Sequence, residues 1–194
     1  SDLLDWSVGD SESEETWRTI FRRLKAKGLS GVELIVSDAH GGIKAAMQKE
    51  FQGVMWQRCW VHFMREALKK TSHKDYKSLS HDLRYIVNGC TEEECRLRID
   101  DVADRWDTLG RSRVAAHVRE GAHECLAIFA LPATHRRRLR STNMLERVMQ
   151  ELKRRSRIIG IFPNVASCDR VMGTRLLEMH EAWQLEKCPY VNME

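Results

Sequence analysis

A short run of apolar and largely β-branched residues, Val32, Leu34, Ile35 and Val36, breaks off at Ser37-Asp38-Ala39-His40-Gly41-Gly42 and gives way to a helical pattern from Ile43 to Phe51. No other feature constrains the fold as tightly. An apolar run of this length reads as a buried strand, and a strand that hands over to a helix through a glycine turn belongs to an α/β layer. A second apolar run, Val54 to Trp56, is followed from Trp60 by helical spacing through Phe63, Met64, Ala67 and Leu68. Strand, helix, strand, helix predicts parallel strands joined by crossover helices. Ahead of this unit, Leu3 to Val8 alternates loosely around Trp6 and ends at Gly9, which predicts another short strand and turn. Ser11 and Ser13, with the acids Glu12, Glu14 and Glu15, then precede Trp17, Ile20, Phe21 and Leu24, the pattern of a capped amphipathic helix closed by Gly28.

The pattern from Tyr76 to Phe129 is helical throughout, with Leu79, Leu83, Ile86 and Val87, then Cys95, Ile99, Val102 and Trp106, then Val114, Val118 and Leu126. It predicts two to four helices of ordinary length. Helices over about Thr142 to Arg155 and Val165 to Gln184 complete the chain, separated by the apolar segment Ile158 to Phe162 before Pro163. The 194 residues suffice for one sizeable domain. Apolar residues at 42% and charged residues at 31%, with no apolar stretch of about 18 residues, argue against a membrane span. Ser1 to Asp10 has three acids and no basic region, unlike a secretory leader, so the cytoplasm is the expected compartment. The six cysteines are scattered, without a C-x-x-C pair, and read as reduced thiols.

Charge is concentrated. Net charge is only +4, yet Arg136, Arg137, Arg138, Arg140, Arg147, Lys153, Arg154, Arg155 and Arg157 stand against two acids, Glu146 and Glu151, giving +7 in that stretch and −3 elsewhere. Such a block suits a phosphate-backbone binder, or else a solvated helix face. Asp38 ends a buried strand at the rim where parallel sheets place ligands, though an Asp there also serves as a turn former. His40 is read equally as a local hydrogen-bonding residue. Glu146 and Glu151 lie about 140° apart around one helix, so at most one of them works with Asp38. In Trp56-Gln57-Arg58-Cys59-Trp60-Val61-His62, helical spacing would bring Cys59 and His62 onto one face. Zinc would need two more ligands and a nucleophilic pair would need an orienting group, so structural hydrogen bonding is the default. Aromatic contact of Trp56 or Trp60 with a base is the alternative.

Several of these segments carry a resemblance: Ser11-Glu12-Ser13 with Trp17, Val36 to Gly42, Trp56 to Phe63, Ser141-Thr142-Asn143-Met144-Leu145-Glu146-Arg147, Glu151 to Arg155, and Gly160-Ile161-Phe162-Pro163-Asn164. Through them the chain resembles the Mutator family of bacterial insertion-sequence transposases from Leu4 to Tyr190. The resemblance implies an α/β, ribonuclease-H-like catalytic core, N-terminally truncated, with an all-helical insertion. Residues 1–70 would be the partial core with the second catalytic Asp, 71–135 the insertion, and 136–194 the C-terminal core helices with the catalytic Glu and the basic stretch. It further implies an Asp-Asp-Glu triad whose second Asp is Asp38 and whose Glu is Glu146, as catalytic residues and ligands of two Mg2+ or Mn2+ ions. Glu146 is preferred to Glu151 because the family acid follows Thr142-Asn143. Cys59 and His62 match the family's Cys-x-x-His signature, beside Trp56 and Trp60. Arg136 stands where the family usually has Trp, and Val148-Met149 where Leu-Asn is common.

The implied activity is DNA cleavage and strand transfer of an insertion sequence by metal-dependent phosphoryl transfer. Its partners would be insertion-sequence ends and target DNA, within a homo-oligomer, in the nucleoid-associated bacterial cytoplasm. The first triad Asp and the DNA-binding region are expected upstream of Leu3 to Val8, so the isolated chain is expected to be inactive or incomplete. The alternative is a non-catalytic DNA-binding remnant.

Overall fold

The computed structural model describes residues 2–8 and 12–185, so the expectations for Gly9, Ser11, Cys188 and Tyr190 lie outside the described residues. Within them the chain is mostly helical, with two strands in parallel. It divides into two compact units. One comprises residues 1–33, 39–54 and 142–194; the other comprises 34–38 and 55–141.

The second unit holds the sheet. Strand β1, Leu34–Ser37, pairs in parallel with β2, Met55–Arg58, in the register Leu34 with Met55 through Ser37 with Arg58. The crossover predicted from the glycine turn is therefore present, and no tight hairpin can join strands paired this way. Helix α3, Trp60–Lys69, follows β2, then α4, Tyr76–Val87, α5, Glu92–Thr108, and α6, Ser112–Gly121. Their apolar stripes close one core around Phe63, Leu79, Leu83, Ile86, Ile99, Val102, Trp106, Val114 and Val118. Polar groups inside it are matched: Asp82, 3% exposed, accepts from the Trp106 indole at 2.9 Å and from Arg105 at 2.8 Å. The buried Gln57 amide donates to the Cys125 carbonyl at 2.7 Å while its oxygen accepts from the Ile128 N–H at 3.0 Å. That side chain ties β2 to the two 3-10 turns at Ala122–Cys125 and Ala127–Ala130. Helix α7, Ala133–Leu139, ends the unit.

In the first unit, α1, Glu14–Ala26, is capped by the Ser13 hydroxyl, which accepts from the Thr16 N–H, as the sequence predicts. It packs on α2, Gly41–Glu50, through Phe21 set edge-on to Phe51 at 5.1 Å. Glu50 anchors the pair by accepting from Arg18 at 3.1 Å and Arg22 at 2.9 Å. Gly42 is required there: a Cβ would lie 2.1 Å from the Glu12 carbonyl oxygen, so the start of α2 approaches backbone that no side chain would leave room for. Helices α8, Asn143–Ile159, and α9, Val165–Leu185, follow.

Two expectations need correction, and one helix is not expected at all. Residues 3–8 form no strand; side chains hold the segment instead, with Trp6 Nε1 donating to Asp169 at 2.9 Å and Asp5 paired to Arg23 and Lys27. Ile158 and Ile159 belong to α8, which runs to Gly160. A short apolar stretch on an amphipathic helix cannot be told from a linker by hydropathy alone. Helix α7 has no counterpart among the expected elements; its seven residues are dominated by the arginine run, which hides an apolar period.

Candidate catalytic carboxylates and nucleic-acid interface

Asp38 directly follows β1, at the C-terminal end of a parallel strand, and is half-buried. Its neighbours are fixed. The Ser37 hydroxyl donates to the Asp38 carbonyl at 2.8 Å and accepts from the Trp56 indole at 2.9 Å, while the Cys59 N–H donates to the Ser37 carbonyl at 2.6 Å. Among the described residues the Asp38 carboxylate has neither a hydrogen bond nor an ion pair, so it is positioned by its backbone and left open to a ligand. His40 proves to be a cap: its Nδ1 accepts from the Gly42 N–H at 3.2 Å and its Nε2 lies 3.9 Å from Glu12. That is the local role the sequence allowed.

Cys59 is the N-cap of α3, in extended backbone and fully buried, and His62 is half-buried in the first turn. The spacing still brings the two side chains together, with the Cys59 Sγ and a His62 ring nitrogen within 4.8 Å of each other. Trp60, 4% exposed and 5.3 Å from the Phe63 ring, belongs to the core and offers no face to a nucleic-acid base. Trp56 is half-buried and bound to Ser37. No described cysteine is in a disulfide, and burial pushes Cys95 and Cys125 up from their ordinary range, so both are inert at neutral pH.

The two acids of α8 have different surroundings. Glu151 is chelated by Arg154, whose Nε and Nη2 donate at 2.9 and 2.8 Å, and also pairs with Arg175 on α9 at 2.9 Å and with Arg155 at 3.9 Å. The Arg154 hydrogen bonds, helped by Arg175, hold its carboxyl down at about 2. Glu151 thus ties α8 to α9. Glu146 lies one turn into α8, half-buried, its N–H donating to the Thr142 carbonyl at 2.9 Å.

The basic stretch separates into two groups. Arg136 is spent locally: it donates to the Leu131 and Phe129 carbonyls at 2.9 and 3.2 Å and its guanidinium lies 4.9 Å from the Phe129 ring centre. Arg154 and Arg155 serve Glu151. Arg137, Arg140, Arg147, Lys153 and Arg157 have no ion pair among the described residues. Burial and the nearby Arg137 push the Arg140 guanidinium down from its usual value, as expected of a cation lacking a counter-ion. Sequence reasoning misses Lys69, Lys70 and Arg113, which helical packing brings to one pocket with Arg58 and His117. Lys69 and Lys70 end α3 and Arg113 lies on α6, more than forty residues on, so no periodic pattern signals their meeting.

The sequence matches the family model for transposase, Mutator family, over residues 1–186. It is 36% identical over 192 residues to the transposase for insertion sequence element ISRM5 of Rhizobium meliloti (strain 1021), covering 99% of this chain and 48% of that protein. It is 35% identical to the transposase for insertion sequence element IS256 in transposon Tn4001 of Staphylococcus aureus, covering all of this chain and 50% of that one. It is 33% identical to the transposase for IS1081 of Mycobacterium tuberculosis (strain ATCC 25618 / H37Rv), covering all of this chain and 46% of that one. The chain belongs to the Mutator family of transposases. It spans about half the length of these relatives. Among the described residues no helix is long and apolar enough to cross a membrane.

Proposed function

We propose that this chain supplies part of the catalytic core of an insertion-sequence transposase, with a ribonuclease-H-like arrangement in which Asp38 and Glu146 bind divalent metal and the basic residues of α7 and α8 hold DNA. The observation that carries it is the open carboxylate of Asp38 at the C-terminal end of a parallel strand, in a chain of this family. Both residues offer carboxylate oxygens, the hard donors that Mg2+ and Mn2+ take. Two such ions, when bound, would activate a water or a DNA 3′-hydroxyl and stabilise the leaving oxygen. The chain's own part is positional. The Ser37 hydroxyl bond to the Asp38 carbonyl and the backbone bond from Cys59 to Ser37 fix where Asp38 stands, and α8 carries Glu146 on a rigid turn. Arg137, Arg140, Arg147, Lys153 and Arg157 are free to neutralise phosphates and set the DNA in register. The active assembly is proposed to be a homo-oligomer on insertion-sequence ends and target DNA.

The test uses the whole transposase polypeptide carrying this sequence, incubated with insertion-sequence-end DNA. Cleavage and strand transfer should require Mg2+ or Mn2+. Asp38→Asn and Glu146→Gln should each lower the rate by about 10³ or more, the scale of losing a main electrostatic stabiliser of the transition state, while DNA binding persists. Cleavage that survives both substitutions would sink the assignment. DNA binding with no cleavage in any metal would instead favour the non-catalytic remnant.

A further inference from the structure

A pocket of about 440 Å³ lies in the helical part of the second unit, between the end of α3 and the face of α6. Its volume falls within the range of roughly 300–1,000 Å³ usual for ligand sites, but its lining is charged rather than apolar. The floor is rigid. Arg58, with only 10% of its side chain exposed, is clamped by Glu66 at 2.6 Å and Glu124 at 3.2 Å and lies 5.1 Å from the Phe63 ring centre. The His117 imidazole stacks on the same ring, with centroids 4.7 Å apart and planes 10° from parallel. Gly121 keeps the floor open: a Cβ there would come 2.4 Å from Arg58 Nη1 and 3.1 Å from Phe63.

The mouth is formed by three exposed cations, Lys69 and Lys70 at the C-terminal end of α3 and Arg113 in the first turn of α6. None of the three has an ion pair among the described residues. The lining acids are Glu66, which pairs with Arg58, and Glu120, so with Arg58 shared between Glu66 and Glu124 the cations Arg58, Lys69, Lys70 and Arg113 exceed the acids Glu66, Glu120 and Glu124 by one charge. A fixed, open, cation-rimmed concavity is the geometry that receives a phosphate group. The lysines also stand where they would offset the negative end of the α3 dipole. That role needs neither Arg113 nor a cavity between the helices.

We propose that this pocket is a second DNA-backbone site, in which Lys69, Lys70 and Arg113 grip phosphodiesters of duplex DNA apart from the basic residues of α7 and α8. It rests on the transposase reading only in taking DNA as the ligand. The test measures duplex binding by the whole polypeptide across a salt series. The Lys69→Ala, Lys70→Ala, Arg113→Ala triple variant should weaken binding at least about tenfold and flatten the slope of log K against log salt by roughly 2 to 3, since each phosphate no longer neutralised removes about 0.9. Lys70→Arg with Arg113→Lys should keep both near wild type. In the unmodified protein, bound duplex should also protect Lys69 and Lys70 from an amine-acylating reagent. An unchanged slope with unchanged lysine reactivity overturns the site while leaving the transposase reading intact. Failure of the wild type to bind duplex at all overturns both.

Discussion

Glu151 and Arg136 each look, in the sequence, like part of a functional stretch, and in the structure each is committed to a neighbour. Glu151 loses its proton readily because Arg154 and Arg175 surround it, so it stays charged down to about pH 2. A carboxyl depressed from an ordinary value near 4.5 lends stability that is complete above about pH 4.5 and is lost as pH falls through about 2. Urea unfolding of the wild type and Glu151→Gln, followed from pH 6 to pH 2.5, should show a gap at pH 6 that narrows on acidification. A constant gap would mean that the ion pairs do not stabilise the fold. His117 has the opposite chemistry with the same direction of loss. Burial pushes its imidazole below the ordinary 6.5, so it is neutral at pH 7 and its stability contribution fades as pH falls below about 6.5. His117→Phe should therefore be less acid-sensitive than wild type between pH 6.5 and 5. Arg136→Ala should lower stability, because the bonds to the Phe129 and Leu131 carbonyls disappear, and leave the salt dependence of DNA binding unchanged. Arg147→Ala, by comparison, should flatten that slope by about 1.

At the scale of elements, the strand–turn–helix at Val32 to Phe51 is legible because a β-branched run and a glycine turn are local signals. Helices α4 to α6 are legible from their apolar period. Segment 3–8 misleads because alternation around Trp6 mimics a strand when a side chain, rather than a partner strand, anchors the chain. Spacing alone does not locate an N-cap, so Cys59 reads as a helix residue when it caps α3, yet the same spacing correctly brings its thiol beside His62. The buried polar links are invisible for a related reason: Gln57 and Asp82 meet partners 71 and 24 residues away. Both matter to the fold. Asp82→Ala, which strands the Trp106 indole N–H in the core, should destabilise by about 2–3 kcal/mol, and Gln57→Ala by a similar amount because the Ile128 N–H and Cys125 carbonyl lose their partner. Chemical denaturation checks both; a loss below about 0.5 kcal/mol would show that these groups are otherwise solvated.

On the scale of the whole chain, family membership is legible where motifs cluster, at Val36 to Gly42, Trp56 to Phe63 and Ser141 to Arg147. The distribution of charge is legible only as a sum. The +7 stretch is two helices, α7 and α8, and Arg136, Arg154 and Arg155 within it are engaged by Glu151, Phe129 or Leu131. The pocket cations Lys69, Lys70 and Arg113 lie outside that stretch altogether.

Metal rescue tests the catalytic assignment most directly. Asp38→Cys and Glu146→Cys each replace a hard oxygen ligand with a thiolate, which prefers softer ions. Assayed for insertion-sequence-end cleavage in the whole polypeptide, each variant should be inactive with Mg2+ and recover activity with Mn2+ or Cd2+, while Glu151→Cys remains active with Mg2+. Activity of the Asp38 and Glu146 variants with Mg2+, or loss that no metal restores while DNA binding persists, would contradict the assignment of these two carboxylates as metal ligands.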